Sequence, residues 1–335
     1  MAPSASYVVI NMTPLPSALI RPLLAAYAHD LSIEVVDVHG KDRGYVLSQL
    51  ERADVVIGDY TFSMKIDREM LDRMARVRLI AQPSTGYDHI DVEYAAKRGI
   101  PVANIGAANA ASVAEHTILL ALALLKRLGQ AHARTAGGRW AQQEFMDLGV
   151  YELQGKTWGI LGFGRIGREV AKRLAGWGVR LLYYDKVRAP EELERQLGAA
   201  PSDLAGLLRQ ADVVSVHLPL SLETSRLLGE RELRMMKPTA VLVNTSRGEI
   251  VDEQALARAL EQRWILGAAV DVFSSEPPPS DHPLIRLAAM GANVLLTPHI
   301  AGATAEARQR IIQVTVENVV RALKGERPLN VVNLS

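Results

Sequence analysis

Three side chains in the second half of the sequence could together do proton-coupled chemistry on a molecule that carries a carboxylate. They are Arg247 in "LVNTSRGEIVDE", Glu276 in "AAVDVFSSEP" and His299 in "NVLLTPHIAG". Each follows an apolar run that reads as a strand, so each should stand just past a strand end. An arginine fork pairs bidentately with a carboxylate. An imidazole gives or takes a proton near neutral pH, and a glutamate beside it favours the imidazolium. Singly, each has a plainer reading: Arg247 a solvated loop charge, Glu276 a polar residue in a proline loop, His299 a cap on a strand end. Together they fit one reaction, in which a carbonyl carbon receives hydride while the histidine protonates its oxygen.

A hydride needs a carrier, and "GILGFGRIG" offers a place for one. Gly162, Gly164 and Gly167 form a G-x-G-x-x-G turn after a strand and open the helix "REVAKRLAGWG". Gly162 permits the tight turn, Gly164 lets a pyrophosphate approach the backbone, and Gly167 allows close helix–strand packing. Alone, that pattern is weak evidence. It gains weight from Asp185, eighteen residues beyond Gly167 at the end of the next strand, where a carboxylate would accept from ribose hydroxyls. Asp185 would repel a 2′-phosphate, which favours NAD over NADP, although Arg188 keeps NADP in play.

The elements that must position these groups alternate along the chain. Strands over 7–11, 33–38, 53–58, 77–82 and 100–104 are interleaved with helices over 16–28, 45–52, 67–75 and 89–99. A second series of strands begins at 157–164 and continues through 180–185, 211–220, 239–246 and 265–273 to "NVLLTPH". Such alternation predicts an α/β protein with parallel sheets covered on both faces. Between the series, 109–129 is apolar almost all round and predicts a buried helix, with Ser112 as N-cap and Glu115 as its capping-box partner. The last helix, over 305–325, follows the second series and is free to return to the first domain, making that domain discontinuous.

Bulk properties narrow the field. At 335 residues two domains are expected. With 38 Lys and Arg against 37 Asp and Glu, the charge gives no reason to expect nucleic acid or an anionic membrane as partner. The absence of cysteine removes disulfides, thiolate zinc sites and thiol catalysis, and no metal is expected. No apolar run is long enough for a membrane span, and "MAPSASYVVINM" lacks a signal-peptide layout, so a cytoplasmic protein is expected.

The ordered set "TGYDHIDVEYAAKRGI", "NAASVAEHT", "GILGFGRIGREVA", "LVNTSRGEIVDE", "AAVDVFSSEPP" and "LTPHIAG" resembles the D-isomer-specific 2-hydroxyacid dehydrogenases, from about residue 50 to 332. The resemblance implies a flavodoxin-like substrate domain over 1–108 plus 300–335 and a Rossmann-type NAD-binding domain over 109–299. It implies Arg247 as the clamp on carboxylate and carbonyl, Glu276 as partner of the histidine, and His299 as acid/base. Thr85, Arg165, Ile166, Asp185, Thr245 and Asp271 fall on cofactor-contacting positions, as, less firmly, do His217 and Pro219. Backbone amides of Ser84, Thr85 and Gly86 should hold the substrate carboxylate, with Asn109 near that pocket. The other histidines, His29, His39, His89, His116 and His132, match no catalytic position and are read as structural or solvated. A homodimer through the NAD-binding domain is implied, with 132–149 as the arm.

Within the family, phosphoglycerate dehydrogenases typically bring an arginine after the strand that here is "ADVVIG". This chain has Gly58-Asp59-Tyr60 there, and an aspartate would repel a phosphate. The sequence ends shortly after "PLNVVN", so the regulatory C-terminal domain that many phosphoglycerate dehydrogenases carry is not expected. Glyoxylate or hydroxypyruvate is therefore the expected substrate, with 3-phosphoglycerate as the alternative. Formate dehydrogenases pair their histidine with glutamine, unlike Glu276. A reading from another class, an NAD(H)-sensing corepressor that binds partners, is compatible with the same three residues and would show negligible turnover.

Overall fold

The computed structural model describes residues 6–334. Residues 1–5 and 335, assigned above to the first domain, lie outside the described residues. The chain divides into two compact units, Met1–Asn109 with Ala305–Ser335, and Ala110–Thr304. Both are α/β, each built on a parallel sheet.

The first unit carries β1 (Ser6–Asn11), β2 (Ser32–Asp37), β3 (Val55–Ile57), β4 (Leu79–Ala81) and β5 (Val102–Ala103), in the order β2-β1-β3-β4-β5. Successive strand residues bury on opposite faces, which is why these strands read as unbroken apolar runs. Ile10, Val56 and Ile80 pack with Leu50, Met70 and Leu71 on one face. Val9, Val55 and Leu79 meet Val316, Val319 and Leu323 of the helix Ala305–Lys324 on the other, so the last helix belongs to this unit. The chain beyond that helix closes the sheet at β5. Val332 N–H donates to Val102 O, and the Asn333 amide accepts from Val102 N–H while donating to Val92 O and Ile100 O. An edge that would otherwise present unpaired backbone groups is covered.

The second unit carries β6 (Thr157–Leu161), β7 (Arg180–Tyr184), β8 (Ala199–Pro201), β9 (Val213–Val216), β10 (Val241–Asn244), β11 (Gly267–Val270) and β12 (Val294–Leu296). Their order is β12-β11-β10-β9-β6-β7-β8, so chain order reverses between β6 and β9, the position where doubly wound sheets open a crevice. The sequence did not signal β8, because "AAP" is short, lacks β-branched residues and ends in proline.

The buried helix runs Ala110–Leu125, with Ala114, Ile118 and Leu125 against Ile160, Val243 and Ala269. It stops short of Gly129 because Arg127 takes φ +50, its guanidinium donating to Gly149 O (3.0 Å) and Leu148 O (3.2 Å). The expected capping box does not form. Ser112 lies inside the helix with Oγ 2.8 Å from Thr304 Oγ1, and Glu115 pairs with Arg173 instead. Tertiary partners outcompeted the local signal. Among the described residues no helix is long and apolar enough to cross a membrane.

Candidate active site

The groups singled out in the second unit leave its sheet at the carboxyl edge of the parallel strands, where open α/β sheets bind ligands. β10 ends at Asn244, whose buried side chain braces the turn that follows. Its Oδ1 accepts from Ser246 N–H (3.1 Å) and Oγ–H (2.8 Å), and its Nδ2 donates to Arg247 O (2.9 Å). Arg247 leaves that turn half-buried, with Nη1 donating to Ser246 O at 2.7 Å. The next residue must be glycine: a Cβ on Gly248 would stand 2.0 Å from the Phe273 carbonyl carbon. The backbone carrying Arg247 is thereby pressed onto the backbone leading to Glu276.

Glu276 is held at both oxygens. Oε1 accepts from Phe273 N–H (2.9 Å), and Oε2 lies 2.7 Å from His299 Nδ1. Burial alone would raise its pKa. The hydrogen bond and charge of His299, the Phe273 amide and the Arg247 charge outweigh burial and hold it below the usual carboxylate range. Glu276 is therefore ionised at neutral pH.

His299 stands at φ +54, in the left-handed region that costs a residue with a Cβ about 1–2 kcal/mol. Its loop is wound around Asp271, which ends β11 and is 1% exposed. The Asp271 carbonyl accepts from His299 N–H (2.8 Å). The Asp271 carboxylate accepts from Thr297 Oγ1–H (2.5 Å), Ile300 N–H (2.9 Å) and Ala301 N–H (2.9 Å). His116 Nε2 lies 3.1 Å from Thr297 Oγ1 and 3.7 Å from Asp271 Oδ1. A buried carboxylate thus forces the chain to turn after Pro298 and sets the imidazole at the strand end.

The same edge carries the glycine turn. Gly162 takes φ +95, and a Cβ there would meet the backbone of His217 and Leu218 at 2.7 Å. A Cβ on Gly167 would come within 2.1 Å of Gly162 O. Gly164, by contrast, caps the helix Arg165–Arg173 with open space where its Cβ would be. That open helix N-terminus is a seat for a pyrophosphate. Asp185, at the end of β7, accepts from Phe163 N–H at 2.6 Å and so stands beside the turn, where a ribose carboxylate partner belongs. Arg165 is exposed and Ile166 half-buried on the first turn of the helix. Both ring nitrogens of His217 are buried without a hydrogen-bond partner, and burial pushes its pKa down to about 3, keeping the ring neutral. Thr245 is buried with its hydroxyl 3.0 Å from Thr117 Oγ1, and Pro219 O accepts from Thr224 Oγ1–H. The residues present fit a dinucleotide.

Ser84, Thr85, Gly86 and Asn109 belong to the first unit. There Gln82 Nε2 donates to Ser84 Oγ (2.7 Å), Ser84 Oγ–H donates to Gly86 O (2.7 Å), and Thr85 Oγ1–H donates to Asn109 Oδ1 (2.8 Å). Asn104 Nδ2 donates to Thr85 O (2.9 Å). The loop is fixed by side chains from the ends of β4 and β5. Its amides at 84, 85 and 86 donate to no acceptor among the described residues.

Sequence reasoning missed Asn244, which braces the Arg247 turn, and Thr297, which bonds Asp271; it read His116 only as structural or solvated, and that ring reaches Thr297. Thr297 and His116 do lie within "LTPHIAG" and "NAASVAEHT", the stretches that carried the resemblance.

Residues 118–301 match the family model described as D-isomer specific 2-hydroxyacid dehydrogenase, NAD binding domain. The glyoxylate reductase of Thermococcus litoralis is 41% identical over 302 residues, 89% of this chain and 88% of that protein. The crystal structure of a glyoxylate reductase from Paecilomyes thermophila superposes with a TM-score of 0.85 at 28% identity, covering 98% of both chains. That of a D-lactate dehydrogenase from Aquifex aeolicus, complexed with NAD and lactic acid, gives 0.82 at 33% identity over 95% and 96% of the chains.

Proposed function

The chain belongs to the D-isomer-specific 2-hydroxyacid dehydrogenase family, and on that premise we propose that it is an NAD-dependent reductase of a small unphosphorylated 2-oxo acid, glyoxylate or hydroxypyruvate. The observation that carries the chemistry is the His299 Nδ1–Glu276 Oε2 contact of 2.7 Å on the edge that also bears Arg247. Gly162, Gly164, Gly167 and Asp185 would hold the dinucleotide, whose reduced form would supply a hydride for reduction and whose oxidised form would accept one in the reverse direction. Arg247 holds the carboxylate and polarises the carbonyl through its fork. His299 turns Nδ1 to Glu276, so the proton passes between Nε2 and the substrate oxygen. Reduction thus adds hydride to the carbonyl carbon and the His299 proton to the oxygen; oxidation returns both. Glu276 supports the charged imidazole. Asp271, whose carboxylate accepts from Thr297, Ile300 and Ala301, braces the His299 loop and keeps the cofactor-contacting role that the resemblance implies. The amides of Ser84, Thr85 and Gly86 are assigned to the substrate carboxylate, being unclaimed donors on a fixed loop.

An unphosphorylated substrate is favoured by Asp59. Burial alone would raise its pKa. Bonds from Ser63, Thr61 and Met64 lower it below the ordinary value, fixing a negative charge after β3. Glyoxylate reductases of this length and similarity support the same choice. A homodimer through the second unit is part of this reading, because Leu128, Trp140, Met146 and Leu148 expose an apolar stretch that a second copy would cover. So is a cytoplasmic setting.

A spectrophotometric panel of 2-oxo acids with NADH and NADPH in parallel tests the proposal. Glyoxylate or hydroxypyruvate with NADH should give the highest kcat/KM, and 3-phosphohydroxypyruvate a lower one. NADH binding with negligible turnover of every 2-oxo acid would favour the corepressor reading instead.

A further inference from the structure

Arg188, beside the nucleotide-binding edge, has no task in the proposed reaction. It follows Asp185 by three residues, within reach of where a 2′-phosphate would enter, and an arginine there should welcome NADPH. The guanidinium is committed elsewhere. Its Nε donates to Glu194 Oε1 (3.1 Å) and its Nη2 to Glu194 Oε2 (3.0 Å), a two-point grip. Glu194 is buried, and the hydroxyl of Tyr183, itself 1% exposed, donates to its Oε1 at 2.5 Å. That hydroxyl also accepts from Ala189 N–H (2.9 Å), tying the segment after Asp185 to the same knot. Glu191, 3.8 Å away and exposed, adds only a weak surface partner.

Glu194 has no other cation partner among the described ion pairs, and Tyr183 fixes its carboxylate, so the two-point grip holds the fork in place. We propose that Glu194 is a specificity-determining residue for the cofactor: it sequesters Arg188 and so denies a 2′-phosphate the cation that the sequence offers. Asp185 repels the phosphate and Glu194 withholds its partner. Two carboxylates on successive elements exclude NADPH by different means.

The inference rests on the NAD reading above, and its test separates the two. Glu194→Gln keeps the volume and the bond from Tyr183 but removes the charge that holds Arg188. Calorimetric titration with adenosine 2′,5′-bisphosphate and adenosine 5′-monophosphate reads the site without turnover. In Glu194→Gln the bisphosphate should gain roughly tenfold over the monophosphate relative to wild type, the scale of one charge-assisted contact. The NADPH-to-NADH ratio of kcat/KM should rise in parallel. Glu194→Gln/Arg188→Gln should lose both gains, which a merely structural effect of residue 194 would not do. In the otherwise wild-type protein, Arg188→Gln should leave the cofactor ratio unchanged, because a sequestered guanidinium contributes nothing. Unchanged selectivity in Glu194→Gln, or a gain that survives the loss of Arg188, overturns the proposal, as does a fall in NADPH use on Arg188→Gln alone. Failure of the wild type to bind NADH or adenosine 5′-monophosphate would instead overturn the cofactor reading beneath it.

Discussion

His299→Ala should lower kcat for glyoxylate reduction by roughly 10²–10⁴-fold, the usual value of a positioned general acid, while NADH binding stays near wild type. The split follows from where the histidine stands. It lies beyond β12, its Nδ1 on Glu276, whereas the dinucleotide seat proposed above comprises Gly162, Gly164, Gly167 and Asp185 after β6 and β7. Removing the imidazole takes away the proton donor and leaves the glycine turn untouched. The alanine would still occupy φ +54, so the backbone strain is retained and its anchors on Asp271 persist. Stopped-flow NADH fluorescence gives the binding constant, and steady-state assays give the rate. A variant that turns over normally would return His299 to the capping role its sequence position also allows.

Arg247→Lys is the second large effect. Lysine keeps the charge and loses the planar fork, so a substrate held by two parallel N–H donors is left with a point charge. Loss of a charge-assisted contact of about 3 kcal/mol corresponds to roughly a 10²-fold fall in kcat/KM. The turn itself should survive, since Asn244 bonds the Ser246 side chain and the backbone of residues 246 and 247 rather than the guanidinium. NADH affinity should change little. Near-normal kcat/KM would make Arg247 a surface charge.

Much of this site is legible in the sequence, and the reason is topological. Parallel strands deliver their carboxyl ends to one edge, so Arg247, Glu276 and His299 could be grouped from strand alternation although they are spread over more than fifty residues. The glycine turn was legible because each glycine has a steric cause, which the close approaches at Gly162 and Gly167 bear out. What stayed hidden was support. Nothing in "NTSR" says that Asn244 braces Arg247, since the same asparagine could sit in any turn. The resemblance implied a cofactor contact at Asp271; its further task, bracing the His299 loop through three donors, depends on burial and tertiary contacts that the sequence does not display. Ser112 and Glu115 had the spacing of a capping box, but Thr304 and Arg173 claimed them. Arg188 looked free because its partner, Glu194, arrives from the next helix. Local rules described the elements well and described poorly the side chains that serve another segment.

In the proposed reaction His299 and Glu276 work as one acid/base unit, and the pH dependence of Glu276→Gln against wild type is the decisive measurement. Reduction needs the protonated imidazole, so its rate falls as pH rises; oxidation needs the neutral form and falls as pH drops. Glu276 has a lowered pKa and is ionised across that range, so a negative charge stands 2.7 Å from His299 Nδ1. Glutamine can still accept from Phe273 N–H, which keeps the loop while deleting the charge. The falling limb of kcat for glyoxylate reduction should then move to lower pH, because the carboxylate charge beside the protonated ring is gone. The rising limb of glycolate oxidation should move the same way. Superimposable profiles for wild type and Glu276→Gln would contradict the pairing and leave the 2.7 Å contact without a catalytic meaning.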